Sequence, residues 1–588
     1  MAHRNIRRRD LLKLTIVSAL VPALPLAGCS NGDNMPEPSE DPEATARVYP
    51  QGLMSGDPRP DSIVLWTRVE PPKASSKVPV GWELATDDQF KEMVTNGEID
   101  ATADTDHTVR LKIKDLEPGT VYYYRFQALG VRSVVGRTKT APAVSDDVKV
   151  RFAFAACQDF VGRFYHAWKA LAAEDAVDFV VHLGDYIYET DGNPSFQTPG
   201  AGRKIDLPDG LSISDTTKAA QTLADYRSLY RQYRSDPDLQ RIHQLFPFIC
   251  IWDDHEFGDD CWQDHTTHFN GTMGDEQVTS QREDADQAWF EYQPADVTWD
   301  DSAAYPDDIK IYRTLRYGKH LELFLTDERF YRDRAVVPEK GTNIGVGKIV
   351  ADSKIGSHIF LLKPGFDPLE AAAKPTMLGA DQKAWFIDAV KGSNATWKVW
   401  GNEVQLAQMV ANLKSFDKLP DIFRDLFYLT VDQWDGFRTE RKEILTALSS
   451  VDNLVAITGD IHAFYAAELH ADFDNPTAKP VGVEYVTAGI SSQAVATSAE
   501  SVLADPAFKD LGLLELVPMW DDLLKQASPH YRYANSFVNG IAICDLSADE
   551  IDVTFLILKD VQDPKFDGSA IERVKFRTTA GSNKVEVL

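Results

Sequence analysis

From about residue 149 onward, short apolar runs alternate with amphipathic stretches. The runs 151–156 (RFAFAA), 178–183 (DFVVHL), 247–252 (PFICIW), 321–325 (LELFL), 397–400 (WKVW), 454–458 (LVAIT) and 483–487 (VEYVT) have the length and content of buried strands. Segments 163–175 and 221–234 read as helices between them. Such alternation predicts an α/β architecture with layered sheets and helices. Beyond Ser491 the alternation loosens, and 540–546 and 550–558 read as strands that close a sheet in antiparallel fashion.

Between about 47 and 143 the pattern is different. Short β-rich runs at 62–69 (SIVLWTRV), 80–84, 108–113 and 121–129 are separated by turn residues. Residues 115–125 (DLEPGTVYYYR) resemble a fibronectin-type corner, in which Pro-Gly makes the turn and a tyrosine ties it to backbone. The expectation is a small antiparallel β-sandwich at 47–143, serving as spacer or lid, ahead of a large domain at 149–588.

Neither pattern governs the N-terminus. Residues 4–29 (RNIRRRDLLKLTIVSALVPALPLAGC) place a basic start before an apolar stretch from Leu14 to Leu26, interrupted by Pro22 and Pro25. That stretch is shorter than the roughly 20 residues a spanning helix needs, so 1–29 reads as a cleaved export signal. Its Arg8-Arg9-Asp10-Leu11-Leu12-Lys13 resembles a twin-arginine motif, and Leu26-Ala27-Gly28-Cys29 resembles a lipobox in which Cys29 is lipidated. The twin-arginine machinery exports folded cargo, so a metal centre can be assembled before translocation. Residues 30–46, polar and rich in Pro and Glu, read as a flexible tether.

Composition excludes several classes. With 588 residues, 43% hydrophobic and 10% aromatic, the chain can fill a sizeable core. Its formal charge of −29 would repel nucleic acid. Five cysteines (Cys29, Cys157, Cys250, Cys261 and Cys544) are too few for a disulfide framework. A monomer, attached to a membrane only through its signal or lipid, is expected.

In open α/β sheets, functional groups gather beyond the carboxyl ends of strands. Four predicted strands here end in potential metal ligands: Cys157-Gln158-Asp159, Gly184-Asp185-Tyr186-Ile187-Tyr188-Glu189, Asp253-Asp254-His255-Glu256 and Gly459-Asp460-Ile461-His462. Taken singly, Cys157 is a buried small hydrophobe, Asp185 a turn acceptor, His255 an ion-paired residue and Asp460 a cap. Their recurrence at strand ends is what points to a shared centre.

These blocks resemble the calcineurin-like metallophosphoesterases, in their PhoD-like (alkaline phosphatase D) branch. Gly52-Leu-Met-Ser-Gly-Asp-Pro58, Trp66-Thr-Arg68, Asp225-Tyr-Arg, Asp236-Pro-Asp-Leu-Gln240, Asp327-Glu-Arg-Phe-Tyr-Arg332, Gly379-Ala-Asp-Gln-Lys-Ala-Trp385 and Trp397-Lys-Val-Trp-Gly-Asn402 follow in the same order. Where the wider superfamily begins with Asp-x-His and ends with Gly-His-x-His, this chain has Cys157 and Gly459-Asp460-Ile461-His462. The resemblance implies a two-sheet α/β sandwich behind the β-sandwich. It also implies a binuclear or trinuclear centre in which Asp185 bridges ions. Cys157, Tyr188 and His462 would complete the shell of the first ion, and a thiol and a phenol that must lose protons suit Fe³⁺. Asp185, Asp254 and Asp460 would hold a second ion, with Asp253, Asp259, Asp260 and Asn402 as further candidates. Hard oxygens favour Ca²⁺, one ion or two, with Mg²⁺ or Mn²⁺ as alternatives.

The implied activity is phosphate-ester hydrolysis, monoester or diester, by in-line attack of hydroxide generated at the ions. His255 would protonate the departing alkoxide or orient the phosphate. Arg329 and Arg332 are candidates to grip phosphate oxygens, with structural ion pairs the alternative. Ser491-Ser492 would line the rim, and insertions 189–220 and 263–300 would wall the pocket. Asp264, His265 and His268 read as surface polar residues. The setting would be periplasmic or cell-surface phosphate scavenging. The alternative is a non-catalytic, metal-stabilised surface lipoprotein used for binding or adhesion.

Overall fold

The computed structural model describes residues 38–588 apart from 73–74, 195, 198–201, 267–275, 338–357, 476, 505–510 and 567. The export signal, Cys29, most of the tether and His268 lie outside the described residues. No helix among those described is long and apolar enough to cross a membrane.

Two large mixed sheets make the body of the fold. The first runs in the order Glu586–Val587, Glu572–Thr579, Glu550–Leu558, Asn539–Leu546, Val150–Ala155, Phe179–Leu183, Phe248–Ile251, Leu53–Gly56, Ile63–Arg68, Thr108–Ile113. The second runs Arg313–Tyr317, Leu321–Leu325, Trp397–Asn402, Leu454–Thr458, Gly482–Val486, Phe464–Leu469, Tyr531–Asn535. Parallel pairing holds the central strands of each: 150–155 with 179–183 and 248–251 in the first, and 321–325, 397–402, 454–458 and 482–486 in the second. Phe154, Val181 and Leu183 of one sheet and Val399, Ile457 and Tyr485 of the other share one apolar core. Every expected strand of this region is present, and 539–546 and 550–558 do close the first sheet in antiparallel pairing.

Helices Leu223–Tyr233 and Pro237–Leu245 explain two of the sequence blocks. Asp225 completes a capping box with Thr222. Asp236 caps the next helix through the N–H groups of Asp238 and Leu239, with Pro237 in the first turn. These acids set helix starts rather than chemistry.

The N-terminal segment is mostly strands, in two sheets that share one apolar core: Leu53, Leu65 and Leu111 of one pack with Val80, Leu84 and Tyr124 of the other. Lys77–Ala85, Met93–Thr102, Val121–Ala128, Val131–Arg132 and Gly136–Lys139 form their own antiparallel sheet. Leu53–Gly56, Ile63–Arg68 and Thr108–Ile113 instead extend the first large sheet, joined to it where Gly56 pairs in parallel with Phe248. Just beyond it, Asp57 ties these strands to the second sheet by a bidentate pair to Arg313, at 2.7 and 2.8 Å. The expected tyrosine corner is there: the Glu117 N–H donates to the Tyr122 hydroxyl at 2.9 Å. Part of the stretch read as a tether is helical. Pro42–Val48 is a helix capped by Asp41, and it buries Ala44 and Val48.

Candidate active site

Each strand-end block lands where two sheets meet. Cys157 follows Val150–Ala155, Asp185 follows Phe179–Leu183, and Asp253 and Asp254 follow Phe248–Ile251, all adjacent parallel strands. Asp460 follows Leu454–Thr458 in the opposite sheet. Glycine permits the close approach. A Cβ on Gly459 would fall 2.5 Å from that of Ala156, and one on Gly184, at φ +100°, would fall 2.4 Å from that of Asp253. Cys157, Asp185, Asp460 and His462 themselves take φ of 59°, 56°, 59° and 55°. Side-chain-bearing residues in this left-handed region cost about 1–3 kcal/mol each and concentrate at functional sites.

The ligand atoms of Cys157, Asp185 and His462 lie within 4.8 Å of one another. The Tyr188 hydroxyl is 2.9 Å from Asp185 Oδ2 and 3.3 Å from His462 Nε2. Beside this group stand three overlapping ones: Asp185, Asp254 and His255; Asp253, Asp254 and Asp460; and Asp254, Asp259 and Asp260. The structure thus brings together Cys157, Asp185, Tyr188, Asp254, Asp460 and His462, and adds Asp253, Asp259 and Asp260. Asp185 stands in two of the groups and links them.

Asn402 is engaged in hydrogen bonds of its own. Its Oδ1 accepts from the Trp434 indole at 2.9 Å, and its amide donates to Val404 O and Thr458 Oγ1.

The arginines are engaged in ion pairs. Arg329 has no exposed side-chain surface and pairs with Asp253 (2.5 Å), Asp432 (2.8 Å) and Asp460 (2.8 Å). Arg332 is 2% exposed and pairs with Asp432 at 2.8 Å. Both guanidinium groups are held in ion pairs with buried carboxylates, the structural alternative to a phosphate grip. A further cluster of Asp260, His358 and Asp432, not foreseen in the sequence, adjoins them.

His255 is buried, with Nδ1 2.7 Å from Glu189 Oε2 and Nε2 3.6 Å from Asp259 Oδ1. Its ring lies 4.1 Å from that of Tyr188 and 4.9 Å from that of Phe196, centroid to centroid. Phe196 belongs to the 189–220 insertion, which does reach the site. The other insertion differs: its helix Thr279–Tyr292 buries Trp289 and Tyr292 in the core. Asp264 is buried, accepting from Gln277 and Thr279, while His265 stacks on Trp262.

Two residues that sequence reasoning did not assign, Glu189 and Glu256, and one it placed elsewhere, Ser492, complete the surroundings. Glu189 is the partner of His255. The Glu256 carboxylate accepts from the N–H groups of Asp185 (3.0 Å), Tyr186 (2.7 Å) and Asp253 (2.8 Å), locking two strand ends together. Ser492, expected on the rim, is buried with its Oγ 2.5 Å from the Tyr188 hydroxyl. Position beside Tyr188 and inside the DDHE block was the only signal for the first two.

The electrostatics match a cation site. Burial, reinforced by repulsion among the acids, holds the Asp253, Asp254 and Asp460 carboxyls above the ordinary range despite Arg329. Burial, then Asp185, pushes the Cys157 thiol and Tyr188 phenol up. Asp185 goes the other way: burial alone would raise it, but His255 and His462 hold it low. For His255, burial is outweighed by Asp254, Glu189 and Asp185, which favour the imidazolium. Asp185 Oδ1, Asp253 Oδ2 and Asp254 Oδ1 are buried and accept no hydrogen bond among the described residues. Orphaned carboxylate oxygens in linked acidic clusters are a donor set that fits hard cations.

The PhoD-like phosphatase family model matches residues 152–555, and that of the PhoD-like phosphatase N-terminal domain matches 35–142. The chain belongs to the PhoD-like phosphatase family. It is 30% identical over 543 residues to alkaline phosphatase D of Bacillus subtilis (strain 168), covering 90% of this chain and 80% of that protein. A solved structure of PhoD superposes with a TM-score of 0.72 at 27% identity, covering 92% of each chain. The fold is therefore the PhoD α/β metallophosphoesterase fold with a β-rich N-terminal domain, and the protein is a phosphoesterase.

Proposed function

We propose that this PhoD-like enzyme is an exported phosphomonoesterase or phosphodiesterase that scavenges phosphate, using iron and calcium. The observation that carries the metal reading is a set of linked clusters, Cys157, Asp185 and His462 beside Asp185 and Asp254 and beside Asp253, Asp254 and Asp460, whose Asp185 Oδ1, Asp253 Oδ2 and Asp254 Oδ1 are buried without a donor among the described residues. Cys157, Asp185, Tyr188 and His462 would hold Fe³⁺. Asp185, Asp253, Asp254 and Asp460, with Asp259 and Asp260 alongside, would hold Ca²⁺, one ion or two. Thiolate and phenolate suit the more highly charged ion, and a set of carboxylates without imidazole suits calcium over zinc. When bound, such cations orient phosphoryl oxygens, neutralise developing charge and make water acidic enough to supply a nucleophile near neutral pH.

The chain's own residues do the rest. Glu189 orients His255 through Nδ1 and favours its protonated form, so that Nε2 can give a proton to the departing alkoxide. Phe196 and Tyr188 pack against that ring and shield it from water. Arg329, held by Asp432, offsets the negative charge gathered at Asp253 and Asp460. Glu256 keeps Asp185 and Asp253 in register. A purely structural metal site has no need of a buried, acid-partnered histidine at its edge, which disfavours a non-catalytic lipoprotein.

The test is hydrolysis of chromogenic phosphate monoesters and diesters before and after chelation. Turnover that chelator removes and metal restores is expected; hydrolysis of neither ester would end the reading. Export through the twin-arginine pathway and anchoring at Cys29 belong to the same proposal. Cell fractionation of the native protein and of Cys29→Ser tests them, with release from the membrane expected for the variant.

A further inference from the structure

We propose that Ser492 is a positioning residue that donates a hydrogen bond to the phenolate oxygen of Tyr188 and thereby tunes the first cation centre. The inference rests on the reading of Tyr188 as a ligand.

Ser492 is 1% exposed, and its hydroxyl joins three loops. Its Oγ lies 2.5 Å from the Tyr188 hydroxyl and 2.8 Å from the Cys157 carbonyl, and it accepts from the Asp159 N–H at 3.2 Å. A hydroxyl carries one proton, so it can serve only one of its two acceptors. The Cys157 carbonyl already receives the backbone N–H groups of Ser491 (3.3 Å) and Ser492 (3.2 Å). It does not depend on the side chain.

With Tyr188 protonated, its own O–H points to Asp185 Oδ2 at 2.9 Å. As a cation-bound phenolate it has no proton to give and needs a donor. His462, the other polar neighbour at 3.3 Å, would itself be a ligand. That leaves Ser492 in place to donate, and the Asp159 N–H on its oxygen polarises the O–H toward the phenolate. The chain Asp159 N–H, Ser492 O–H, Tyr188 O is thus built into the loops that also carry Cys157. Outer-shell donors of this kind orient ligands and set how much charge they pass to the metal.

The readout is the visible phenolate-to-iron charge-transfer band of the iron-loaded protein. A hydrogen bond lowers the energy of the phenolate donor orbital, so removing it moves the band to longer wavelength. Ser492→Ala is expected to keep its iron, shift the band red and lower kcat with KM nearly unchanged. Ser492→Thr, which keeps the hydroxyl, is expected to hold the native band. Ser492→Cys, a poorer donor of similar size, is expected to shift it red by less than alanine and covers the case where alanine does not fold. An unshifted band in iron-loaded Ser492→Ala or Ser492→Cys would overturn the inference while leaving Tyr188 as a ligand. A native protein that binds iron without any such band would remove the premise and the inference together.

Discussion

Glu189 Oε2 lies 2.7 Å from His255 Nδ1, an ion pair with side-chain exposures of 0% and 7% at the edge of the carboxylate cluster. The partner on Nδ1 fixes the ring and leaves Nε2 to face the reaction, with Asp259 the nearest acid on that side. His255→Ala is expected to retain its metal while losing roughly 10²–10⁴-fold in turnover, the range for a positioned general acid. Glu189→Gln is expected to lose roughly 10–100-fold, with the alkaline limb of the pH–rate profile displaced to lower pH because the imidazolium that donates the proton loses its counter-charge. Unchanged turnover in His255→Ala would remove its catalytic role.

Tyr188 is the residue whose substitution leaves a spectroscopic trace. Tyr188→Phe removes only the hydroxyl that touches Asp185, His462 and Ser492. Visible absorption from phenolate-to-iron charge transfer is expected to vanish. Colour that survives would mean that another group ligates the ion.

Asp57 and Arg313 fasten the N-terminal strands to the second large sheet, with side-chain exposures of 0% and 8%. Asp57→Asn leaves a buried guanidinium without its counter-charge, and denaturant unfolding is expected to show a loss of about 3–5 kcal/mol. Turnover of the folded fraction should be nearly unchanged, because the pair touches none of the candidate ligands. A loss below 1 kcal/mol would mean that the junction is held elsewhere.

His182 is fully buried, and neither ring nitrogen has a hydrogen-bond partner among the described residues. Burial lowers its pKa from 6.5 to about 3. The unfolded chain therefore binds this proton more readily than the folded one between those values. The contribution of neutral His182 is fully present above pH 6.5 and is lost as pH falls toward 3, by about 1.4 kcal/mol per pH unit. His182→Phe is expected to flatten the fall of Tm with acid relative to the native protein. Parallel Tm–pH curves would show that the histidine does not titrate in this way.

The legible parts of the sequence were those written locally. Apolar runs marked the central strands, and acids, thiol and imidazole at four strand ends marked the site, because ligands beyond strand ends need only a strand and its next few residues. What was not legible depends on distant pairing. Glu189 meets His255 across 66 residues of chain, and Arg329 meets Asp460 across 131. Arg329 read equally well as a phosphate grip until its partners were seen. The continuity of the N-terminal strands with the main sheet was not legible for the same reason, since the Gly56–Phe248 bridge has no local signature. Ser492 resembles any loop serine until it is found against Tyr188.

Elemental analysis of the purified native protein beside Asp185→Asn bears most directly on the shared centre, because Asp185 belongs to both the Cys157 group and the Asp254 group. The native protein is expected to contain iron and calcium, and the variant to lose both along with activity. A fully active native protein free of metal, or a variant that keeps both ions, would contradict a centre bridged by Asp185.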